Sequence, residues 1–359
     1  MKKNNFSPIK EILKDAKKGK MFILVDDGDR ENEGDLVIPG SKCDYKKINF
    51  MAKHGRGLIC LALTSKKVKK LSLPLMSPIN KSRTQTAFTV SIESKKGVST
   101  GISAHDRAKT IRTAIKQSSS RSDIVSPGHV FPLVARDGGV LERAGHTEAS
   151  VDISKLAKLN PSAVICEVMN EDGTMARYKD LIPFAKKHKL KIAKIEDLIS
   201  YRLTNENLIK CVSSKKIKIS KFGTFDLRTF KNKLDGSEHY AISKGKFSPN
   251  KPSRVRVVST NVLNVFFNFN KDIFKKSLSY LNKYNNFALI LIKGSNFNQS
   301  TSESSKILRY YGIGAQIIKD LKIKKMILVS RSIKRVIALE GYGIKIIKQE
   351  IMKWIKKFV

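Results

Sequence analysis

Six carboxylates, one arginine and two glycines occupy residues 26–35, DDGDRENEGD, directly after the apolar run Met21-Phe22-Ile23-Leu24-Val25. Acids crowded at the end of a strand suit two kinds of chemistry. They bind a hard divalent cation, which prefers oxygen ligands. Alternatively they do acid–base work, where neighbouring carboxyls drive one another's pKa values apart. A solvated acidic turn is the plain alternative. The two glycines, the embedded Arg30 and a following apolar run favour a segment organised around a ligand, but the run alone does not decide.

A second constellation lies about a hundred residues on. Residues 126–148, SPGHVFPLVARDGGVLERAGHTE, hold two of the six histidines, His129 and His146. His129 is expected in a Pro-Gly turn, from which its side chain projects into a cleft. Arg143-Ala144-Gly145-His146-Thr147 combines a cation, a glycine, an imidazole and a hydroxyl. With local backbone N–H groups, Arg143 and Thr147 would make a phosphate clamp, and the imidazole could join a carboxylate on one metal. Glu167 sits inside the apolar run VICEV, where a lone acid is costly unless it has a task. Taken singly, each of these residues also has a structural reading.

The elements that must position them alternate. Ser7-Pro8 reads as an N-cap followed by proline at the first helical position, and Ile9, Ile12, Leu13 and Ala16 recur at helical spacing. Strands are expected at MFILV (21–25), LVI (36–38), LICLAL (58–63), FTVSI (88–92) and VICEV (164–168), with helices around 44–54, 105–117 and 178–188. No regular βαβ repeat emerges, so the first 205 residues form an α/β unit of the α+β kind, a mixed sheet with helices on its faces. Past Tyr201-Arg202 lysine rises and acids thin out. KCVSSKKIKISKFG (210–223) reads as a linker into a smaller α/β domain, with strands at 287–292 and 325–329 and helices near 271–284 and 303–321.

Composition bounds the partners. The 359 residues suffice for two domains, divided here as 1–205 and 206–359. No apolar run approaches the roughly 20 residues of a membrane span, and the lysine-bearing N-terminus lacks the apolar core of a secretory signal. Four cysteines, Cys43, Cys60, Cys166 and Cys211, lack CxxC spacing and suit a reducing cytoplasm. The formal charge is +39, which raises nucleic-acid binding as a rival reading. Yet the lysines are dispersed and no RNA- or DNA-binding motif accompanies them. Attraction of phosphorylated metabolites is the favoured consequence.

In order along the chain, DDGDRENEGDLV (26–37), GLICLAL (57–63), TAFTVSIE (86–93), TGISAHDRAKTI (100–111), PGHVFPL (127–133), GGVLERAGHTEASVDI (138–153) and VICEVMNEDGTMAR (164–177) resemble 3,4-dihydroxy-2-butanone 4-phosphate synthase over roughly residues 5–205. The resemblance implies a cytoplasmic, homodimeric lyase that turns ribulose 5-phosphate into 3,4-dihydroxy-2-butanone 4-phosphate and formate with magnesium or manganese, two ions per subunit. It implies Glu31 and His146 as metal ligands, with Glu33 beside them as a ligand or acid–base group. Arg30, Glu31, Asp35, Glu167 and the stretch Arg143, Ala144, Gly145, His146 and Thr147 fall on substrate-binding positions. His129, Glu167 and Glu33 fall on catalytic ones. Cys60 lies in the family's active-site strand, where a buried thiol is the plain reading. Ser126 replaces the arginine usual before Pro127.

The tail resembles GTP cyclohydrolase II through GTFDLRTF (223–230), SEHYAISKG (237–245), RVRVVS (254–259), YGIGAQIIKDLKI (311–323) and EGYGIKII (340–347). That family binds zinc through three cysteines, whereas no cysteine follows Cys211 here. KGSNFNQS (293–300) stands where the family's nucleotide-handling segment belongs. No zinc and no cyclohydrolase activity are expected, and His239 is expected to be structural. The alternatives are a bifunctional enzyme that retains GTP hydrolysis and an interaction protein whose basic tail binds RNA or a partner.

Overall fold

A computed structural model of the chain describes residues 5–28, 30–260, 271–293, 303–332 and 342–352. Two compact units result, the first built on Met1–Tyr201 and the second on Arg202–Phe297 and Lys306–Val359.

In the first unit, seven strands form one mixed sheet: β1 (Phe22–Val25), β2 (Gly34–Pro39), β3 (Cys60–Thr64), β4 (Ile92–Ser94), β5 (Ile124–Ala135), β6 (Ser162–Glu167) and β7 (Lys191–Lys194), in the order β4-β5-β3-β6-β2-β1-β7. The pairs β1–β7 and β3–β5 are parallel, the others antiparallel. Central strands are apolar along most of their length because both faces are covered. Leu36, Ile38, Leu61 and Val164 join one core with Ile48 of α2 (Tyr45–Phe50), Ala108 and Ile111 of α4 (Ala104–Ile115) and Leu181 of α6 (Tyr178–His188). The short α3 is Ser65–Lys70. On the alternate positions, Ala62 and Ala135 pack with Val151 of α5 (His146–Leu156), which crosses five of the strands and is itself contacted by α1 (Ile9–Lys17). The expected mixed sheet with helices on both faces is therefore found.

Four local expectations are corrected. The N-cap of α1 is Pro8, not Ser7, because Ser7 N donates to Ile192 O and is held in extended backbone. The helix over 44–54 ends in a wide turn, Met51–Gly55, after α2 stops at Phe50. FTVSI is only partly strand: β4 begins at Ile92, while Phe88 and Thr89 make isolated bridges to Leu133 and Leu75. The Pro-Gly turn expected around His129 is a bulge within β5. Ile92 faces Val130 but Glu93 faces Val125, so residues 126–129 leave the ladder.

The second unit has its own seven-stranded sheet: β8 (Ile209–Ile219), β9 (Gly223–Asn232), β10 (Glu238–Lys244), β11 (Ser253–Thr260), β12 (Phe287–Lys293), β13 (Lys325–Ser330) and β14 (Lys345–Ile351), in the order β14-β13-β11-β12-β10-β9-β8. Between the units in sequence runs α7 (Ile195–Asn205), and α8 (Lys271–Leu281) and α9 (Glu303–Asp320) belong to the second unit's α/β pattern. Phe225, Ile242, Leu278, Phe287 and Leu289 form the core. The stretch read as a linker, 210–223, is mostly the edge strand β8, paired along its length with β9. Its lysines keep a sheet edge in water rather than marking a break.

Candidate active site

The site is built on the hairpin β1–β2, whose ladder closes at Val25 opposite Gly34. Asp26, one residue past β1, is the hub of the loop. Its carboxylate accepts hydrogen bonds from Arg30 Nη1 (2.9 Å), Glu31 N (3.1 Å) and Glu33 N (2.9 Å), and its side chain is 1% exposed. Arg30 also contacts the Glu31 carboxylate. From the far side, Arg177 Nη1 donates to Glu31 O (2.6 Å) and Asn32 O (2.8 Å) and lies 3.6 Å from Glu33 Oε1. Arg83 donates to Arg30 O at 3.1 Å. An acidic run that would repel itself is thus folded around one buried carboxylate and tied by three guanidinium groups.

Asp35 follows on β2 and stands opposite Glu167 of β6 in the ladder, so the two carboxyls share one face of the sheet. Asp35 is buried, and that burial, reinforced by Glu167, holds its carboxyl well above the usual range. Burial likewise raises Glu167, whose Oε2 accepts the Leu58 N–H at 2.8 Å. Gly57 makes that contact possible, since a Cβ there would lie 2.6 Å from the Glu167 carboxylate. Glu33 is raised by burial and then by Glu31.

His146, the first residue of α5, enters from the face that α5 covers. Its Nδ1 lies 3.9 Å from Glu31 Oε2 and 3.7 Å from Asp35 Oδ1, too far for direct hydrogen bonds. Its Nε2 is buried without a hydrogen-bond partner among the described residues. Burial draws the imidazole below its ordinary pKa, towards the neutral form that ligates metals. Ligand atoms of Asp26, Glu31 and His146 all lie within 4.8 Å of one another. An oxygen-rich gap bordered by an imidazole whose buried Nε2 has no hydrogen-bond partner among the described residues fits a divalent ion.

The sequence-singled residues divide in two. Arg30, Glu31, Glu33, Asp35, His146 and Glu167 converge, and Asp26 and Arg177, not singled out beforehand, organise them. Asp26 was legible only as one acid among six, and Arg177 only as the end of a matching motif. Arg143, by contrast, is engaged elsewhere. Its Nη1 binds Glu148 Oε2 (2.6 Å), and its Nη2 donates to Thr84 O (3.0 Å) and Thr86 Oγ1 (2.9 Å). Ala144 and Thr147 are buried around the α5 N-terminus, capped by Gly145 with no side-chain bond. His129 makes its contact with Glu93, at 2.8 Å, and none with the acidic cluster among the described residues. Cys60 is buried, and burial followed by Glu167 pushes its thiol far up, leaving it protonated and inert. Ser126 Oγ donates to Ser91 O at 2.7 Å.

In the second unit, no cysteine follows Cys211 in the sequence. Residues 261–270, where the zinc-binding segment belongs, and most of KGSNFNQS lie outside the described residues. His239 is buried, with Nδ1 accepting the Lys293 N–H at 3.2 Å and Nε2 3.4 Å from Ser237 Oγ, as a structural histidine would be.

Comparison with known proteins places the chain among its relatives. Residues 10–201 match the family model of 3,4-dihydroxy-2-butanone 4-phosphate synthase, and residues 210–295 and 274–351 match that of GTP cyclohydrolase II. The riboflavin biosynthesis protein RibBA of Aquifex aeolicus is 44% identical over 97% of this chain and 93% of its own length. A 3,4-dihydroxy-2-butanone 4-phosphate synthase of Photobacterium phosphoreum is 43% identical over 95% and 98%. Among solved structures, RibBX, a two-domain 3,4-dihydroxy-2-butanone 4-phosphate synthase from A. baumannii, is 39% identical with a TM-score of 0.83, covering 96% of this chain and 99% of that one. A 3,4-dihydroxy-2-butanone 4-phosphate synthase in complex with two magnesium ions is 37% identical with a TM-score of 0.54, over 56% of this chain and 98% of that one. The chain therefore belongs to the 3,4-dihydroxy-2-butanone 4-phosphate synthase family, metal-binding lyases of riboflavin biosynthesis, and carries a GTP cyclohydrolase II-like second domain.

Proposed function

We propose that the β1–β2 loop, His146 and Glu167 form the catalytic end at which D-ribulose 5-phosphate becomes 3,4-dihydroxy-2-butanone 4-phosphate and formate. The observation that carries this reading is the approach of Asp26, Glu31 and His146 beside the buried pair Asp35–Glu167. Glu31 and His146 would hold magnesium or manganese, two ions per subunit, with Asp26 near enough to add an oxygen. Such an ion supplies Lewis-acid stabilisation of the negative charge that develops on the sugar oxygens.

The protein's own groups do the rest. Arg30, Glu31 and Asp35 orient the sugar hydroxyls. The carboxyls of Glu33 and Glu167, both raised by burial, are placed to give and take protons. His129 serves as a further proton carrier. The N–H groups at the start of α5, from Gly145 to Thr147, offer the phosphate a cradle, and the buried Arg143 holds that turn in place. Exposed apolar side chains on the first unit, Leu58, Ile102 and Val125, favour a homodimer. No helix of the described residues is long and apolar enough to cross a membrane. The second domain, without zinc thiolates, is read as catalytically inactive.

The test is proton NMR of the purified chain with magnesium, given ribulose 5-phosphate in one tube and GTP in another. Formate is expected from the sugar alone and is expected to vanish with a chelator. Formate from GTP would restore a working second domain, and formate from neither would sink the reading.

A further inference from the structure

A cavity of about 450 Å³ lies at the opposite end of the strand that leads into the acidic cluster, between the end of α1, helix α2 and the turn from α6 into β7. Met21, on its floor, precedes β1, and Asp26 follows it. Five steps along an extended chain, about 16 Å, therefore separate the two sites. The floor is apolar. Met21 is buried, and Phe50 and Leu190 are partly buried against the core. The Phe50 ring is backed by His54, with centroids 4.8 Å apart, and edge-on by His188 at 5.1 Å. The rim is lysine: Lys20, Lys46, Lys47, Lys189 and Lys191. Lys47 is matched by Asp44 Oδ2 at 2.8 Å, and Lys191 lies 3.2 Å from both Asp15 Oδ2 and Glu11 Oε2. Lys20, Lys46 and Lys189 have no ion pair among the described residues, and Asp15, already matched to Lys191, is the acid that lines the cavity.

Two matching turns set this rim. Both α1 and α6 close on a left-handed residue, Gly19 at φ +70° and Lys189 at φ +55°. In each, the following N–H returns five residues, Lys20 N to Asp15 O and Leu190 N to Ala185 O, both at 2.9 Å. Lys20 and Lys189 are thus carried on closed turns rather than on frayed ends. Helix C-termini attract lysines without any ligand, but such lysines spread over convex surface into water. These border a concave apolar floor that includes a ring. Ammonium groups gathered without acids repel one another, and a bound anion relieves that repulsion. Lysine meets phosphate as a point charge, and an aromatic floor accepts the flat face of any nucleic base. We propose that this cavity is a second ligand site, for a nucleoside phosphate whose base lies on Met21, Phe50 and Leu190 and whose phosphates meet Lys20, Lys46 and Lys189. A sugar phosphate, with no apolar body, makes no use of that floor.

The experiment is equilibrium dialysis of the full chain against radiolabelled ADP at fixed free magnesium. Adenosine, inorganic pyrophosphate and ribulose 5-phosphate serve as competitors. A single ADP per chain is expected, with a Kd below about 0.1 mM. Adenosine or pyrophosphate should each compete at least about tenfold more weakly, since each fills only half of the site. Saturating ribulose 5-phosphate should leave ADP bound. The double variant Lys46→Ala with Lys189→Ala should bind ADP at least about 20-fold more weakly, and its formate release from ribulose 5-phosphate should be unchanged, which also shows that it folds. Phe50→Leu keeps an apolar floor without the ring and should weaken ADP about tenfold while leaving pyrophosphate unaffected. No ADP binding at millimolar concentration overturns the proposal, as does a double variant that binds like wild type. Displacement by ribulose 5-phosphate would assign the nucleotide to the acidic cluster instead. Pyrophosphate competing as well as ADP, or Phe50→Leu binding ADP unchanged, would reduce the cavity to a patch for any anion and overturn the nucleoside.

Discussion

At the scale of single residues, the acidic cluster depends on groups that hold its loop in shape. Arg177 bridges two loop carbonyls and faces Glu33. Its side chain is partly exposed, so the ion pair itself adds little, and its weight lies in the shape of the loop. Arg177→Ala should weaken magnesium binding about tenfold, as loss of a supporting contact does, with little change in Tm; titration calorimetry against magnesium would check it. Gly57→Ala places a methyl against the Glu167 carboxylate. It should cut kcat at least about tenfold, because even small misplacement of a reacting group is costly. Steady-state kinetics at saturating sugar would read it, and unchanged kcat would mean that Glu167 does not act from this position. Arg143 is a separate case. Its guanidinium and Glu148 form a buried pair, and Glu148 is raised by burial against the lowering pull of Arg143. Removing the cation strands that acid, so Arg143→Ala should cost about 3 kcal/mol of stability, measurable by denaturant unfolding, besides any loss of phosphate affinity.

Elements show where sequence patterns carry structure and where they do not. Apolar runs such as FILV and the helical spacing of Ile9, Ile12 and Leu13 reached their elements because burial demands that periodicity. The candidate site was legible because acids crowd one loop after an apolar run and Glu167 stands alone in another. Asp26 was not, since nothing in a run of six acids says which one turns inward to accept the loop's own N–H groups. The bulge at 126–129 was read as a turn because Pro-Gly marks both, and only pairing with Glu93 distinguishes them. At 210–219 four lysines and two serines hid an edge strand behind their polarity. Hydrogen exchange should find the β9-facing amides of β8 protected; free exchange throughout 210–219 would restore the linker. At the end of α6, His188 packs on His54, ring centroids 4.7 Å apart, between Phe50 and Phe184. Both imidazoles are lowered by burial, and beyond that His54 chiefly by Lys53 and His188 chiefly by His54. Their folded pKa values lie below the unfolded ones, so their contribution is present above about 6.5 and is lost as pH falls through the lower folded values. The Tm should therefore drop on acidification through that window, and His188→Phe should flatten the limb.

For the molecule as a whole, the question is what a charge of +39 does for an enzyme whose candidate site is a knot of carboxylates. Locally the site would repel a sugar phosphate, and bound cations offset that repulsion only at contact. At longer range the dispersed lysines set the sign of the field, and a positive field raises the encounter rate with a dianion. Salt shortens that reach to about 8 Å at 0.15 M and about 3 Å at 1 M, whereas groups already in contact are screened far less. Rising ionic strength should consequently lower kcat/KM for ribulose 5-phosphate severalfold while kcat stays nearly constant. Sodium chloride titrated at fixed free magnesium would separate the two. A kcat that falls in step with kcat/KM would instead place the salt effect on the chemistry within the cluster. The basic excess, steeper past residue 205, would then be no guide to substrate capture.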